Sequence, residues 1–167
     1  MPIVAGDILL RFSGGSGNSD PNACLGGVMS TTTAITNDSL HNLFDLVTGA
    51  ESSPGDTEYR GIYILNNHGS LTAKNVRVYI STDSLSDIDI ALAGEGLNAT
   101  METIADESTA PAGESFTHPT TYAGGLAPAD IPFGQRYGLW LRRTIAASQG
   151  AQTPYSMTLN VDCDTDA

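Results

Sequence analysis

Histidine and cysteine give the first test for chemistry, because they are the usual ligands of catalytic and structural zinc. The histidines, His41, His68 and His118, do not form an HExxH box, and we interpret each as a surface or capping residue. Cys24 and Cys163 form no CxxC pair, which argues against zinc or thiol-redox chemistry. Two free thiols are favoured, while a disulfide between them or a crosslink between subunits stays open.

Two glycine-rich segments approach known catalytic or cofactor motifs. Residues 14–18 (GGSGN) come close to a GxSxG nucleophile elbow but end on Asn18 where the last glycine belongs. Residues 94–99 (GEGLNA) satisfy the loose dinucleotide fingerprint, yet Glu95 lies inside the loop and no helix pattern follows to receive a pyrophosphate. We interpret both segments as turns or loops. The sequence therefore predicts no catalytic residue and no cofactor.

Two acidic groups could carry carboxylate chemistry. Asp83, Asp87 and Asp89 offer oxygen ligands of the kind that Ca²⁺ prefers, but the EF-hand spacing is absent and Asp and Ser also favour turns. Residues 102–107 contain three more acids, and no strand pairing that sets two of them at glycosidase separation can be defined. The prediction is a solvated loop at 83–89, no metal site, and a protein that is not an enzyme.

Charge and hydropathy exclude further classes of function. Seven Lys and Arg stand against nineteen Asp and Glu, for a formal charge of −12, and such a field repels nucleic acid. The longest strongly apolar runs, such as residues 62–65, are far shorter than a bilayer span. The start of the sequence has no signal-peptide pattern. We expect a soluble chain that binds neither nucleic acid nor membranes.

The elements that must position any site are strands. Alternating apolar residues and turn signals predict strands at residues 6–12, 28–35, 57–66, 73–81, 88–92, 100–104, 114–117, 135–145 and 155–161. One short helix is predicted after residues 37–39, where Leu40, Leu43, Phe44 and Val47 follow the i, i+3, i+4, i+7 pattern before Gly49. Residues 67–70 predict a turn that joins the third and fourth strands as a hairpin.

Eight to nine strands and one short helix indicate an all-β fold, an antiparallel β-sandwich of the jelly-roll or immunoglobulin-like type. The length of 167 residues fits one domain. Within it we predict an extended N-terminal arm and Gly-rich loop at 1–25, the sandwich at 26–162, and an acidic C-terminal tail at 163–167 that frays.

Several blocks of the sequence carry a resemblance. They include DPNACLGGVMS at 20–30, GDTEYR at 55–60, a V-x-V-x-I strand at 76–80 and the W-x-RRT strand at 140–144. In these blocks and their order the chain resembles small structural proteins of tailed-bacteriophage virions. The resemblance implies a capsid decoration or cement protein, made in the host cytoplasm and placed on the capsid surface. Its partners would be the major capsid protein and other copies of itself, as a homo-oligomer such as a trimer.

The same resemblance suggests where contacts lie. Gly-rich arms can order on a neighbour, and Arg142 and Arg143 must point to opposite faces of a strand, so an ion pair within or between subunits is expected. The candidate capsid or subunit contacts are Ile3, Val4, Asp7, Asn22, Leu25, Trp140, Arg142 and Arg143. The alternative is a tail-associated or host-surface module that binds glycans through loops around Tyr122 and Trp140.

Overall fold

The structure is a computed structural model that describes residues 1–150 and 156–165. Its paired strands are antiparallel, and within the described residues helical structure is limited to α1 (Gly49–Ser52) and two 3₁₀ turns, Ala5–Asp7 and Pro21–Ala23. The all-β prediction is therefore confirmed. The strands are β1 (Ile8–Phe12), β2 (Gly26–Gly27), β3 (Asp56–Asn66), β4 (Ala73–Asp83), β5 (Ile88–Leu92), β6 (Met101–Thr103), β7 (Arg136–Ile145) and β8 (Met157–Thr165).

A four-stranded sheet in the order β1-β3-β7-β5 forms the centre. Strand β3 is buried on both faces because apolar side chains occupy both of its alternating sets: Ile62 and Ile64 point to one side, Tyr59 and Tyr63 to the other. Apolar residues in both alternating sets are typical of an inner strand, and β3 lies between β1 and β7.

The second layer is the two-stranded sheet of β4 and β8. Its inward residues Val76, Val78 and Ile80 are at most 1% exposed and follow the predicted alternation. Strands β4 and β8 share one apolar cluster with the central sheet, so the two sheets pack face to face. The buried members of this cluster are Leu43, Ile62, Ile64, Ala73, Val76, Val78, Ile80, Ile88, Ile90, Ile131, Leu139 and Leu141.

The other face of the central sheet carries a second cluster around Trp140, which is fully buried. The short pair β2–β6 covers this face, and Met101 of β6 lies against the sheet. The approach is close: a Cβ atom at Gly138 would lie 2.6 Å from Cγ of Met101, and one at Gly26 would lie 1.8 Å from the Glu102 carbonyl oxygen. Glycine at these positions therefore lets the layers meet.

The predicted hairpin between the third and fourth strands is wrong. Strand β3 lies in the central sheet, whereas β4 pairs with β8, and residues 67–72 carry the chain from one sheet to the other. The Asn66 side chain fixes this crossing by donating to the carbonyl oxygens of Leu71 and Ile131. Alternation determines which residues face the core but not which strand is the neighbour, so a sheet-to-sheet crossing has the sequence pattern of a hairpin.

The predicted helix is also wrong, because residues 37–48 form turns and α1 begins only at Gly49. Asp38 and His41 have φ values of 57° and 55°, a left-handed conformation that a helix cannot contain. Leu43 is buried, but Leu40 is 85% exposed. The segment therefore packs Leu43 and part of Phe44 against the core and leaves Leu40 in solvent, instead of burying the whole apolar stripe.

Two of the predicted strands shrink to single bridges. Residues 28–35 contribute Ala34 opposite Arg11, and residues 114–117 contribute Thr117 opposite Ile90. At the other end of the chain, β8 extends to Thr165, so the predicted frayed tail is ordered strand at 163–165, and residues 166–167 lie outside the described part. Strand β8 pairs across these residues with Ala73 and Lys74, which explains its extra length.

Candidate functional site

Strand β8 is an open sheet edge. It pairs with β4 on one side, and within residues 1–150 and 156–165 its other side has no backbone partner. The far side of β4, by contrast, is covered by hydrogen bonds to the backbone of Pro119, Leu126 and Ile131. A nine-residue strand with unpaired N–H and C=O groups is a template for another chain.

The inward side chains of β8 are incompletely covered. Leu159 and Val161 belong to the edge of the main apolar cluster yet remain half-buried, whereas the β4 residues beside them are almost fully buried. They line an open groove of about 300 Å³ between β8 and β1, together with Ile8, Leu10 and Ile35. A groove lined mainly by aliphatic residues beside an unpaired strand can receive alternate side chains of an added strand.

The outer face of β8 is acidic. The Asp162 carboxylate accepts a hydrogen bond of 2.8 Å from the Tyr79 hydroxyl, and this bond raises the pKa of Tyr79. Asp164 accepts one of 2.9 Å from the Asn75 side chain. Both carboxylates are exposed and held in place by β4, so the edge presents two fixed negative charges.

The N-terminal residues expected to make contacts adjoin this edge. Ile3 donates its backbone N–H to Oγ1 of Thr165 at the end of β8, across 3.0 Å. Val4 is 56% exposed. Asp7 has a local role, since its carboxylate accepts the Val4 N–H and closes the first 3₁₀ turn. The structure thus places Ile3 beside β8, while Asp7 shapes the turn before β1.

The loop contacts expected at Asn22 and Leu25 lie on another part of the molecule. Asn22 accepts a hydrogen bond of 3.3 Å from Nη2 of Arg60, and the Leu25 carbonyl accepts the Ile104 N–H. Ser13 is buried and donates to the Gly61 carbonyl. Residues 8–25 are therefore built into the central sheet and its covering layer, and the free part of the predicted arm is limited to the first few residues.

Trp140 and Arg143 are wrong as surface contacts, because both are buried. Arg143 donates from Nε to Oε2 of Glu58 across 2.5 Å and from Nη1 to the Asp45 carbonyl across 2.9 Å. Arg142, on the opposite face, pairs with Asp89 and is one-third exposed. Both arginines form ion pairs within the chain. The sequence predicted an ion pair either within or between subunits, and these pairs are of the first kind.

A further buried cation was missed. Arg60 is fully buried, donates to Glu107 across 2.5 Å, and lies over the Phe44 ring with its carbon 5.5 Å from the centroid. Glu58 and Arg60 alternate with apolar residues in a strand predicted to be buried on both faces. Charged residues at such positions need partners, and that signal was available in the GDTEYR block.

The two thiols are free, so the structure contains no Cys24–Cys163 disulfide. Cys24 is fully buried, and burial raises its pKa to about 12. Cys163 lies half-buried on β8, where burial and the neighbouring Asp164 and Asp162 carboxylates raise its pKa. A crosslink between subunits through Cys24 would require the protein to open.

A polar cleft of about 380 Å³ lies at the other end of β4. The described residues that line it are mainly hydroxyl-bearing, and none is Phe, Tyr or Trp: Ile80, Ser81, Thr82, Asp83, Ser84, Ser86, His118, Thr120 and Ser156. The exposed Tyr122 is not among them. Trp140 is buried and cannot stack on a glycan, so of the two aromatic residues in the glycan-binding alternative Tyr122 is the exposed one.

The acidic groups differ in the partners that their carboxylate oxygens have. In the loop at 83–89, Asp83 accepts the Leu85 and Ile88 N–H groups, and Asp89 pairs with Arg142. These carboxylates hold the loop and β7. Another group was not foreseen: Glu51, Asp56 and Glu58 bring carboxylate oxygens within 4.8 Å of one another. Within the described ranges it is the one cluster with the geometry to share a metal ion.

Searches for a helix able to cross a bilayer find none in the described part of the chain. No protein-family model, curated protein or solved structure matches the sequence.

Proposed function

We propose that this protein is a structural protein of a tailed-phage virion, a capsid decoration or cement protein that binds the outer shell and bridges capsomers. The observation that supports this proposal is the open edge of β8 beside the groove between β8 and β1. The major capsid protein would supply the strand that pairs with β8. Other copies of the chain would complete the assembly as a homo-oligomer.

In this proposal, the sequence blocks that carry the resemblance form the scaffold of the fold and not the contact surface. GDTEYR and W-x-RRT pair with each other, since Arg60 lies opposite Leu141 and Asp56 opposite Ile145. They fix the central sheet, against which β4 and β8 pack. The contact surface then comes from a different part of the chain, β8 and residues 1–4.

The energetics favour a repeated contact. Main-chain hydrogen bonds along an added strand give affinity, and the groove gives specificity through alternate side chains. A standard protein interface buries ~1,200–2,000 Å² in total. Many symmetry-related copies on one shell multiply a contact of that size, and bridging would resist the outward pressure of packaged DNA.

The test is binding to phage capsids stripped of this protein. Val161→Lys places a charge in the groove and should weaken binding at least ~10-fold, because an inward charge on an edge strand opposes pairing. Val28→Lys is the matched control, since Val28 is 49% exposed on another surface. Wild-type affinity of a folded Val161→Lys variant would refute the interface.

A second variant keeps the test informative if Val161→Lys fails to fold. Asp162→Lys combined with Asp164→Lys changes only exposed side chains, and it should alter capsid affinity if β8 is the contact. Unchanged affinity would count against the proposal. Binding of the wild-type protein to a glycan array, without binding to capsids, would favour the tail-associated alternative.

A further inference from the structure

Three carboxylates converge where α1 meets the start of β3. Glu51 lies on α1, and Asp56 and Glu58 lie on β3, with one oxygen of each within 4.8 Å of the others. Glu51 and Asp56 are half-buried, and Glu58 is fully buried. The group therefore opens toward solvent on one side and ends against the core on the other.

Protein donors occupy one oxygen of each carboxylate. Glu51 accepts the Thr48 N–H through Oε2 in a capping box, and Asp56 accepts the Thr57 N–H through Oδ1. Glu58 accepts from Arg143 through Oε2. These bonds orient the side chains and leave Oε1 of Glu51, Oδ2 of Asp56 and Oε1 of Glu58 without a hydrogen-bond donor among the described residues.

The buried oxygen gives an independent reason to expect a ligand. Oε1 of Glu58 is inaccessible to water and has no hydrogen-bond partner. An unsatisfied buried acceptor costs ~1–3 kcal/mol, and more when it carries charge. Arg143 pairs with both Glu58 and Asp45, so its charge is shared between two carboxylates, and Glu51 and Asp56 add two more negative charges beside Glu58.

We propose that Glu51, Asp56 and Glu58 form a Ca²⁺ site. The ligands are all carboxylate oxygens, which selects a hard cation over zinc. Three oxygens within 4.8 Å of one another can approach a single ion at about 2.3–2.6 Å, the usual Ca²⁺ distance, and Ca²⁺ accepts irregular coordination more readily than Mg²⁺ does. The bound ion would tie α1 to the central sheet, with Arg143 remaining on the other oxygen of Glu58.

The experiment titrates Ca²⁺ alone into metal-free full-length protein, by calorimetry and by thermal unfolding. The midpoint of unfolding should rise with Ca²⁺ concentration, because a ligand that binds the folded state stabilises it. Glu51→Gln should raise the apparent dissociation constant at least ~10-fold, since affinity follows the ligand charge count. Gln can still accept the Thr48 N–H, so the cap is kept.

The matched control is Asp38→Asn, an acid-to-amide change at an exposed position where Asn tolerates the positive φ. It should leave Ca²⁺ binding unchanged. Absence of binding up to ~10 mM, beyond the weakest range of protein Ca²⁺ modules, would overturn the proposal. So would an equal response of Glu51→Gln and Asp38→Asn, which would indicate diffuse screening of the acidic surface.

Discussion

Arg143 and Glu58 face each other across 2.5 Å from neighbouring strands, and neither side chain is more than 3% exposed. The pair lies opposite in register, Glu58 on β3 and Arg143 on β7. Removing two charges from water is costly, and mutual attraction offsets that cost only while both partners are present. The pair therefore makes the central sheet sensitive to loss of either side chain.

Arg143→Met should lower the free energy of unfolding by ~3–5 kcal/mol, because it leaves Glu58 charged and buried. Urea denaturation measures the loss. Lys74→Met is the control: the Lys74–Asp130 pair is more than a third exposed on both sides, so this change should cost less than ~1 kcal/mol. The double variant Glu58→Leu with Arg143→Met should recover stability, and a further loss would contradict this account.

Gly26→Ala should destabilise the protein by at least ~2 kcal/mol. The added Cβ would lie 1.8 Å from the Glu102 carbonyl oxygen and 3.0 Å from Cη2 of Trp140, and the residue has a φ of +84°. Gly69→Ala, with nothing within 4 Å of its Cβ, should change stability by less than ~0.5 kcal/mol. Equal effects in urea denaturation would show that the close approach of β2 is wrong.

Thiol labelling at pH 8 should separate the two cysteines. A pKa of about 12 leaves only about one Cys24 thiolate in ten thousand, and the side chain is buried, so native Cys24 should not react with a disulfide reagent. Cys163 is half-buried and should react before Cys24, but its raised pKa should make the reaction slow. The Cys163→Ala variant should therefore be inert until denaturant is added, and rapid native labelling of that variant would refute the burial of Cys24.

Trp140 is the single tryptophan and should report on the core. Its fluorescence should be emitted at short wavelength and resist acrylamide quenching in the native state, with both properties lost on unfolding, because the ring is fully buried. Free tryptophan in the same buffer gives the reference. Quenching close to that of the free amino acid would show that Trp140 lies at the surface.

The sequence was informative where both alternating sets of a strand are apolar. The strands predicted at residues 57–66 and 135–145 match β3 and β7 closely, because a strand that is buried on both faces tolerates few polar residues. The sequence did not predict which strands pair with each other. Its pattern indicates a hairpin of β3 and β4, whereas the true partner of β4 is β8, some seventy residues away. The predicted helix at 40–48 is wrong although its apolar residues have helical spacing, because Leu40 lies outside the core.

The candidate surfaces were harder to predict. The inward residues of β8 were recognised, but whether a strand has one neighbour or two depends on the whole fold. Likewise Glu51 reaches Asp56 and Glu58 only because α1 packs beside the start of β3. Buried Arg60 could have been inferred from its neighbours, since an apolar strand with alternating charges implies internal pairing.

The pairing of β4 with β8 also sets an order of events during synthesis. Residues 73–83 leave the ribosome long before residues 157–165, so β4 must wait for β8 before its sheet can close. Pairing at such sequence separation slows folding and exposes an unfinished edge to aggregation. A nascent chain therefore cannot engage a partner through the β8 surface before residues 157–165 have been made and have paired with β4.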